Sequence, residues 1–277
     1  MEQEEGRGVQ QERRDMDLRG QAEAMLLAGG VPFESLQPHA GGQQHQLYKV
    51  VQAGQPQRLL KVPKVDCIGP DRSCWQGLRA EAAALALMRD VPVPTPYVLL
   101  DGGALMAHVP GQAADYLYKH GRLSTTALSE VCFSMGKQLA GIHRHRMPED
   151  YQGAIPVLPG EFEGPHRLVH GDYHLGNVQL VIDRRRGAFK VSGVVDWVNS
   201  GWGPPEWDFV ELHISVFRQL SGSREAFLGG YRAGGALAPN RARELRLLSE
   251  ELQRRLALGQ VPEEHKGDWV RWLSELP

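Results

Sequence analysis

The chain has 277 residues, 42% hydrophobic and 23% charged, with 31 Lys+Arg against 33 Asp+Glu for a formal net charge of −2. This is a globular composition, long enough for one large core or two modest ones. It excludes a membrane-spanning protein, because the longest apolar run, Ala82–Met88, falls far short of the roughly 18 residues that a spanning helix needs. The near-neutral balance also argues against a nucleic-acid partner, which calls for a basic excess or stripe.

Residues 1–20 are polar, acidic and basic together, with no helical periodicity and no apolar core of a secretion signal. They read as a mobile tail, ordering into a helix near Ala22–Leu27, on a protein of the cytoplasm. From 21 to 109 short β-type runs dominate: a strand around Phe33–Leu36, then Gln46–Gln52, Gln57–Pro63, Pro96–Asp101 and Ala104–Val109, separated by Gly and Pro. One helix, about Ser73–Asp90, interrupts them, with Leu78, Ala82 and Leu85 on one face. Cys67, Cys74 and Cys132 are an odd number without CxxC spacing and read as reduced thiols packed as small hydrophobes.

After Pro110 and Gly111 the pattern turns helical, which places a lobe boundary between 109 and 110. Ser124–Arg146 carries Leu128, Val131, Met135, Leu139 and Ile142 at helical spacing. A β-interval at Arg167–Asp196 follows, then helices at Glu206–Leu220, Arg224–Ala233, Asn240–Leu258 and Lys266–Leu276. The expectation is an α+β protein: a small antiparallel-sheet lobe with one helix, then a mainly helical lobe, 110–277, carrying a β-hairpin.

That hairpin organises the chemistry. Val178, Leu180 and Ile182 alternate along one strand and Phe189, Val191 and Val195 along the other, with Arg184-Arg185-Arg186-Gly187 as the turn. Asn177 precedes the first strand and Asp196 follows the second, so antiparallel pairing sets them side by side. Asp172 lies five residues before Asn177 in a Gly-containing loop at the same end. Two carboxylates and an amide oxygen are hard oxygen ligands that suit Mg²⁺, with one carboxylate left to accept a proton from a hydroxyl. Phosphoryl transfer uses these parts.

In the first lobe, Lys61 stands in the apolar strand LLKVP and Glu81 on the apolar face of its helix. Each is costly alone, and pairing them answers both while leaving the ammonium able to reach a phosphate. A purely structural ion pair is the competing reading. Gly41-Gly42 forms either a backbone cover over phosphates or a plain hairpin turn.

The motif His170-Gly171-Asp172 with Asn177, then Val195-Asp196-Trp197, then Gly203, Pro205 and Asp208, resembles the aminoglycoside phosphotransferase and choline kinase family, the small-molecule branch of the protein-kinase-like fold. The resemblance implies a bilobal fold and transfer of the γ-phosphate of ATP, with Mg²⁺, to a hydroxyl of a small molecule. It makes Asp172 the catalytic base, Asn177 and Asp196 the metal ligands, and Lys61 with Glu81 the phosphate-binding pair. Backbone groups near Met106–Val109, His108 among them, would meet adenine, and His170 and Asp208 would support the catalytic loop. Two positions depart from the family pattern: Pro204 replaces a common Asp, and Gln43-Gln44-His45 replaces small or Asn residues of the nucleotide loop.

Rival readings are a silent nucleotide-binding or interaction module of the same fold, and an atypical protein kinase, against which Trp197 stands where such kinases carry Phe-Gly. His170 and His174 do not make a zinc site, since Gly171 and Gly176 oppose a helix there and no Glu follows the first His. No G-x-S-x-G elbow signals a serine hydrolase. His143 and His145 read as caps of helix C-terminal carbonyls. From Pro205 onward 11 Asp+Glu face 10 Lys+Arg. Glu263, Glu264 and Asp268 cluster, but at the start of the last helix, where its dipole alone favours acids, and Trp202, Trp207, Trp269 and Trp272 offer flat apolar walls, although Trp269 and Trp272, three apart on one helical face, equally fit a core. Together these favour an acceptor with at most one positive charge over a polycation. The acceptor's identity (aminoglycoside, choline-like alcohol, sugar or amino-alcohol) stays open.

Overall fold

A computed structural model describes residues 17–41, 44–64, 74–159, 162 and 164–276. Gly42, Cys67 and the expected tail up to residue 16 lie outside the described residues. A helix, α1, already runs at residue 17 and continues to 28, so residues 17–20 belong to the fold rather than to the tail.

The first lobe is a five-stranded antiparallel sheet in the order β1-β2-β3-β5-β4. Its strands are β1 (Ser35–Gly41), β2 (His45–Val51), β3 (Arg58–Pro63), β4 (Tyr97–Leu100) and β5 (Gly103–Ala107). Period-2 alternation gives the sheet two different faces. Leu36, Tyr48, Val50, Leu60, Val62 and Leu105 bury one face under Ala22, Met25 and Leu26 of α1. On the other side of the lobe lies α2 (Cys74–Leu87), whose buried face holds Leu78, Glu81 and Leu85. Cys74 is disulfide-bonded and not a reduced thiol as expected, whereas Cys132 is free and buried, where loss of hydration pushes its pKa up to about 11.

The second lobe is built on α4 (Thr125–Ile142), N-capped by Ser124, whose hydroxyl accepts the Ala127 N–H at 3.2 Å. Leu128, Val131, Met135, Leu139 and Ile142 are all buried, as their spacing predicts. Helix α6 (Ser223–Ala233) crosses α4 at backbone contact. A Cβ added to Gly136 would sit 2.0 Å from the Phe227 carbonyl oxygen, and one on Gly230 1.8 Å from that of Phe133. No larger residue fits either place.

The expected hairpin is β8 (Val178–Asp183) and β9 (Ala188–Val194), paired Val178↔Val194 with a bulge between Gln179 and Leu180. Sequence reading missed a third strand, β6 (Gln112–Ala113), that pairs with β8, and the short helix α3 (Ala114–Lys119) behind it. It also missed β10 (Gly201–Gly203), which pairs with β7 (Arg167–Val169), the strand that leads into the loop holding Asp172. The helix expected at Glu206–Leu220 is α5 (Glu206–Leu212) followed by a widened π-turn, His213–Phe217. There the Ser215 hydroxyl donates to the Glu211 carbonyl, a bond that competes with the helical ladder. Helices α7 (Arg241–Ala257) and α8 (Glu263–Glu275) complete the chain, with Trp207, Trp269 and Trp272 packed partly buried around Val210, Leu248 and Leu252.

Candidate active site

At the cleft the two lobes are tied through Asp196 and Glu81. Lys61 in β3 sends its Nζ to Glu81 of α2, 3.0 Å from Oε2 and 3.2 Å from Oε1, and to Asp196 Oδ1 at 2.8 Å. Glu81, fully buried, accepts two further hydrogen bonds, from the Trp197 N–H at 2.9 Å and the Tyr97 hydroxyl at 2.7 Å. An acid at 0% exposure is stable only when so satisfied. Strand, helix and the segment leaving the hairpin are thereby tied to each other. Burial opposes the Lys61 charge, yet Glu81 and Asp196 outweigh it and hold the ammonium pKa above its ordinary value. For Asp196 burial likewise opposes ionisation, and Lys61 reverses the balance, leaving its carboxyl below the usual range. Both are charged at neutral pH.

Asp196 is also the one described non-glycine residue with positive φ, 63°. A left-handed Asp is uncommon and costs energy, so its neighbours must impose it. Lys61 on its side chain and the Trp197 N–H on Glu81 fix it from both sides.

The loop between β7 and β8 holds Asp172. Asp208, fully buried at the start of α5, accepts the N–H of His170 at 2.9 Å on Oδ2 and that of Gly171 at 2.7 Å on Oδ1. Gly171 turns at φ 79°, and a Cβ there would lie 2.1 Å from the Asn199 carbonyl oxygen. The His170 Nε2 meets the Val195 carbonyl at 3.1 Å and must donate, so Nδ1 is free to accept the Asp172 N–H at 3.3 Å. Asn177 then donates from Nδ2 to the Asp172 backbone oxygen at 2.9 Å and to its Oδ2 at 3.2 Å. The Val195 N–H reaches the Asn177 carbonyl at 2.9 Å, which is the expected juxtaposition at the hairpin mouth.

His174 was singled out only to reject zinc, yet it belongs to this cluster. Its Nδ1 accepts the Gly176 N–H at 3.0 Å, and its Nε2 stands 3.4 Å from Asp172 Oδ1. Burial opposes its protonation, but the bond and charge of Asp172 raise its pKa overall, and His174 in turn carries Asp172 below the carboxylate range against burial.

His143 stands at the C-cap of α4, as expected, with its backbone N–H on the Leu139 carbonyl at 2.9 Å, but its side chain does more than cap. It is buried, with Nε2 3.0 Å from Asp208 Oδ2 and Nδ1 2.7 Å from the Tyr231 hydroxyl, and so braces Asp208 from below. Trp202 is 1% exposed, in the core beneath Tyr151, and forms no wall for a ligand. Tyr97 carried no signal of its own in the sequence. The available hint was that Glu81 has more acceptor sites than one ammonium can fill.

Lys61, Met106, His108, Asp172, Asn177 and Asp196 line one cleft of about 570 Å³ between the lobes. In the segment expected to meet adenine, the Ala107 N–H donates to the Pro96 carbonyl and the His108 N–H to the Gln57 carbonyl. Those two donors are already committed. Gly41 ends β1 opposite Gln46. Asp172, Asp196 and Asn177 are oxygen donors of the kind a hard dication takes, while among the described residues no group of three His, Cys, Asp or Glu is placed to hold a metal ion by itself. Mg²⁺ characteristically takes one or two carboxylates and completes its shell with water and phosphate.

Residues 151–245 match the model of the phosphotransferase enzyme family APH. The chain resembles that family. The matched stretch contains His170, Asp172, Asn177, Asp196 and Asp208 and stops short of Lys61 and Glu81. Solved phosphotransferases share its fold over most of the chain. The macrolide 2'-phosphotransferase MphH from Brachybacterium faecium superposes with a TM-score of 0.61 at 17% identity, over 95% of this chain and 99% of that one. The streptomycin–ATP complex of the aminoglycoside phosphotransferase APH(2")-IIa gives 0.60 at 15% identity, covering 86% and 89%. A putative fructosamine-3-kinase from Thermobifida fusca YX-ER1 gives 0.55 at 19% identity, covering 86% and 92%. No curated protein matches the chain. The fold is the bilobal protein-kinase-like one.

Proposed function

We propose that this phosphotransferase-like chain transfers the γ-phosphate of ATP to a hydroxyl of a small molecule. The observation that carries the reading is Lys61, held between Glu81 and Asp196 across the lobe boundary, because it joins a phosphate-binding cation to the proposed metal carboxylate in one cleft. In this reading the first lobe, from α1 to residue 109, binds the nucleotide, and 110–277 is the catalytic and acceptor lobe.

Each residue then has a defined task. Lys61, oriented by Glu81, places an ammonium at the phosphate chain. Asp196 and Asn177 would hold Mg²⁺, which when bound neutralises charge on the transferring phosphoryl group. Carbonyls of Met106–His108 and the next N–H, that of Val109, would face adenine, with Gly41 and Gly42 beside the phosphates. Asp172 accepts the hydrogen bond of the acceptor hydroxyl and takes its proton late. Its depressed pKa suits a loose transition state, which asks for orientation more than basicity.

The acceptor carries at most one positive charge. The carboxylates near Asp172 already have cations of their own: Asp115 with Lys119, Glu211 with Arg255, and Glu251 with Arg254 and Arg255. An ATP-consumption screen across hydroxylated metabolites and antibiotics tests the function. Turnover with a neutral or singly charged alcohol is the expected result. Turnover confined to polycationic antibiotics would overturn the acceptor class, and none with any alcohol would favour a silent module.

A further inference from the structure

His45 begins β2 and is 5% exposed, and its Nε2 is buried without any hydrogen-bond partner. A buried imidazole nitrogen left unpaired is expensive, and such groups in native proteins call for a reason. The cross-strand register supplies one. His45 pairs with Pro63 and Leu47 with Lys61, so His45 and Lys61 stand diagonally on one face of the sheet. Both line the cleft between the lobes, alongside Asn177 and Asp196. The polar atom missing its partner is therefore next to the ammonium assigned to phosphate.

We infer that His45 is a phosphate-chain donor, its Nε2–H hydrogen-bonding a phosphate oxygen of the bound nucleotide beside Lys61. The inference rests on the nucleotide reading above and adds a residue to it. Burial and the nearby Lys61 keep the imidazole neutral, with a pKa of about 4, so it offers one N–H and adds no charge beside Lys61. The sequence at this point, Gln43-Gln44-His45, is where the chain departs from the family pattern, and His45 supplies the loop's polar contact by a side chain rather than by small residues alone.

A residue that is unpaired in the free protein and paired in the complex has a distinctive signature. Replacing it with an apolar residue should leave stability unchanged or raise it while weakening the ligand. The test is calorimetric titration of wild type, His45→Leu and His45→Gln with ATP and with adenosine, plus thermal melting of each protein without ligand. His45→Leu should melt at or above wild type, bind ATP roughly 10- to 100-fold more weakly, as expected for a hydrogen bond to a charged group, and bind adenosine as wild type does. His45→Gln, which keeps an N–H donor, should recover part of the ATP affinity. ATP affinity unchanged in both variants, or equal losses for ATP and adenosine, would overturn the assignment and leave the nucleotide reading standing. Absence of ATP binding by the wild-type protein would overturn both.

Discussion

Carboxylates serve this molecule in two ways. Beneath the catalytic loop Asp208 is saturated by protein donors, the N–H groups of His170 and Gly171 and the side chain of His143. Under the C-terminal helices Glu244 is equally enclosed by His213, Arg224 and Arg241. In the cleft, Asp172 and Asp196 each keep part of the carboxylate turned to the cavity, with 30% and 44% of the side chain exposed. Fully bonded acids hold elements in place, and acids with spare lone pairs facing a cavity can take a ligand. The two classes should therefore separate under mutation, one by stability and the other by activity.

The widest separation is expected at Glu244. Glu244→Ala leaves Arg224, Arg241 and His213 facing each other and should cost about 3–5 kcal/mol, as breaking a buried charge network does, with ATP affinity of the folded fraction unchanged. Denaturant unfolding beside nucleotide titration reads both quantities, and a loss under 1 kcal/mol would mean the cluster is not holding α6 and the His213–Phe217 turn to α7. Asp208→Ala should be as destabilising and should also lower turnover, since the backbone of His170 and Gly171 loses its anchor.

Next is the inter-lobe lysine. Lys61→Met and Glu81→Gln should each cut turnover strongly, and the double variant should lose little more than the worse single. Additive losses in that cycle would show that the two act independently, contrary to their 3.0 Å contact.

The smallest effect is the pH dependence of stability. His213, Arg224 and Arg241 hold the Glu244 pKa below its ordinary value of 4.5, against burial. Its ionised form is thus favoured by folding, and the stability this adds is present above about pH 4.5 and lost as pH falls through the folded pKa. Glu244→Gln should flatten the acid limb of the stability curve; an unchanged acid limb would assign that loss to other carboxylates.

Much of the cleft was legible because its residues are anomalies of pattern. Lys61 and Glu81 are charges on apolar faces, and Asn177 and Asp196 sit at fixed places around a hairpin whose alternation is plain. The supporting parts left no such trace. His143 looked like a helix-end histidine because its partners, Asp208 and Tyr231, lie 65 and 88 residues away. Strand β6 and helix α3 are too short for periodicity to register, and Trp202 reads the same whether it faces a ligand or the core. The widened turn at His213–Phe217 carries the pairing of His213 with Glu244, 31 residues away, which spacing along α5 cannot express.

The central claim is that Asp172 acts on the acceptor while Lys61 and Asp196 act on the nucleotide. It is tested most directly by Asp172→Asn, measuring transfer of labelled γ-phosphate to an active acceptor and, in parallel, ATP affinity with Mg²⁺. The account predicts a fall in turnover of about 10²- to 10⁴-fold, the range for losing a positioned acid–base group, with ATP affinity within a few-fold of wild type. Near-wild-type turnover in that variant, or a loss confined to ATP binding, would contradict it.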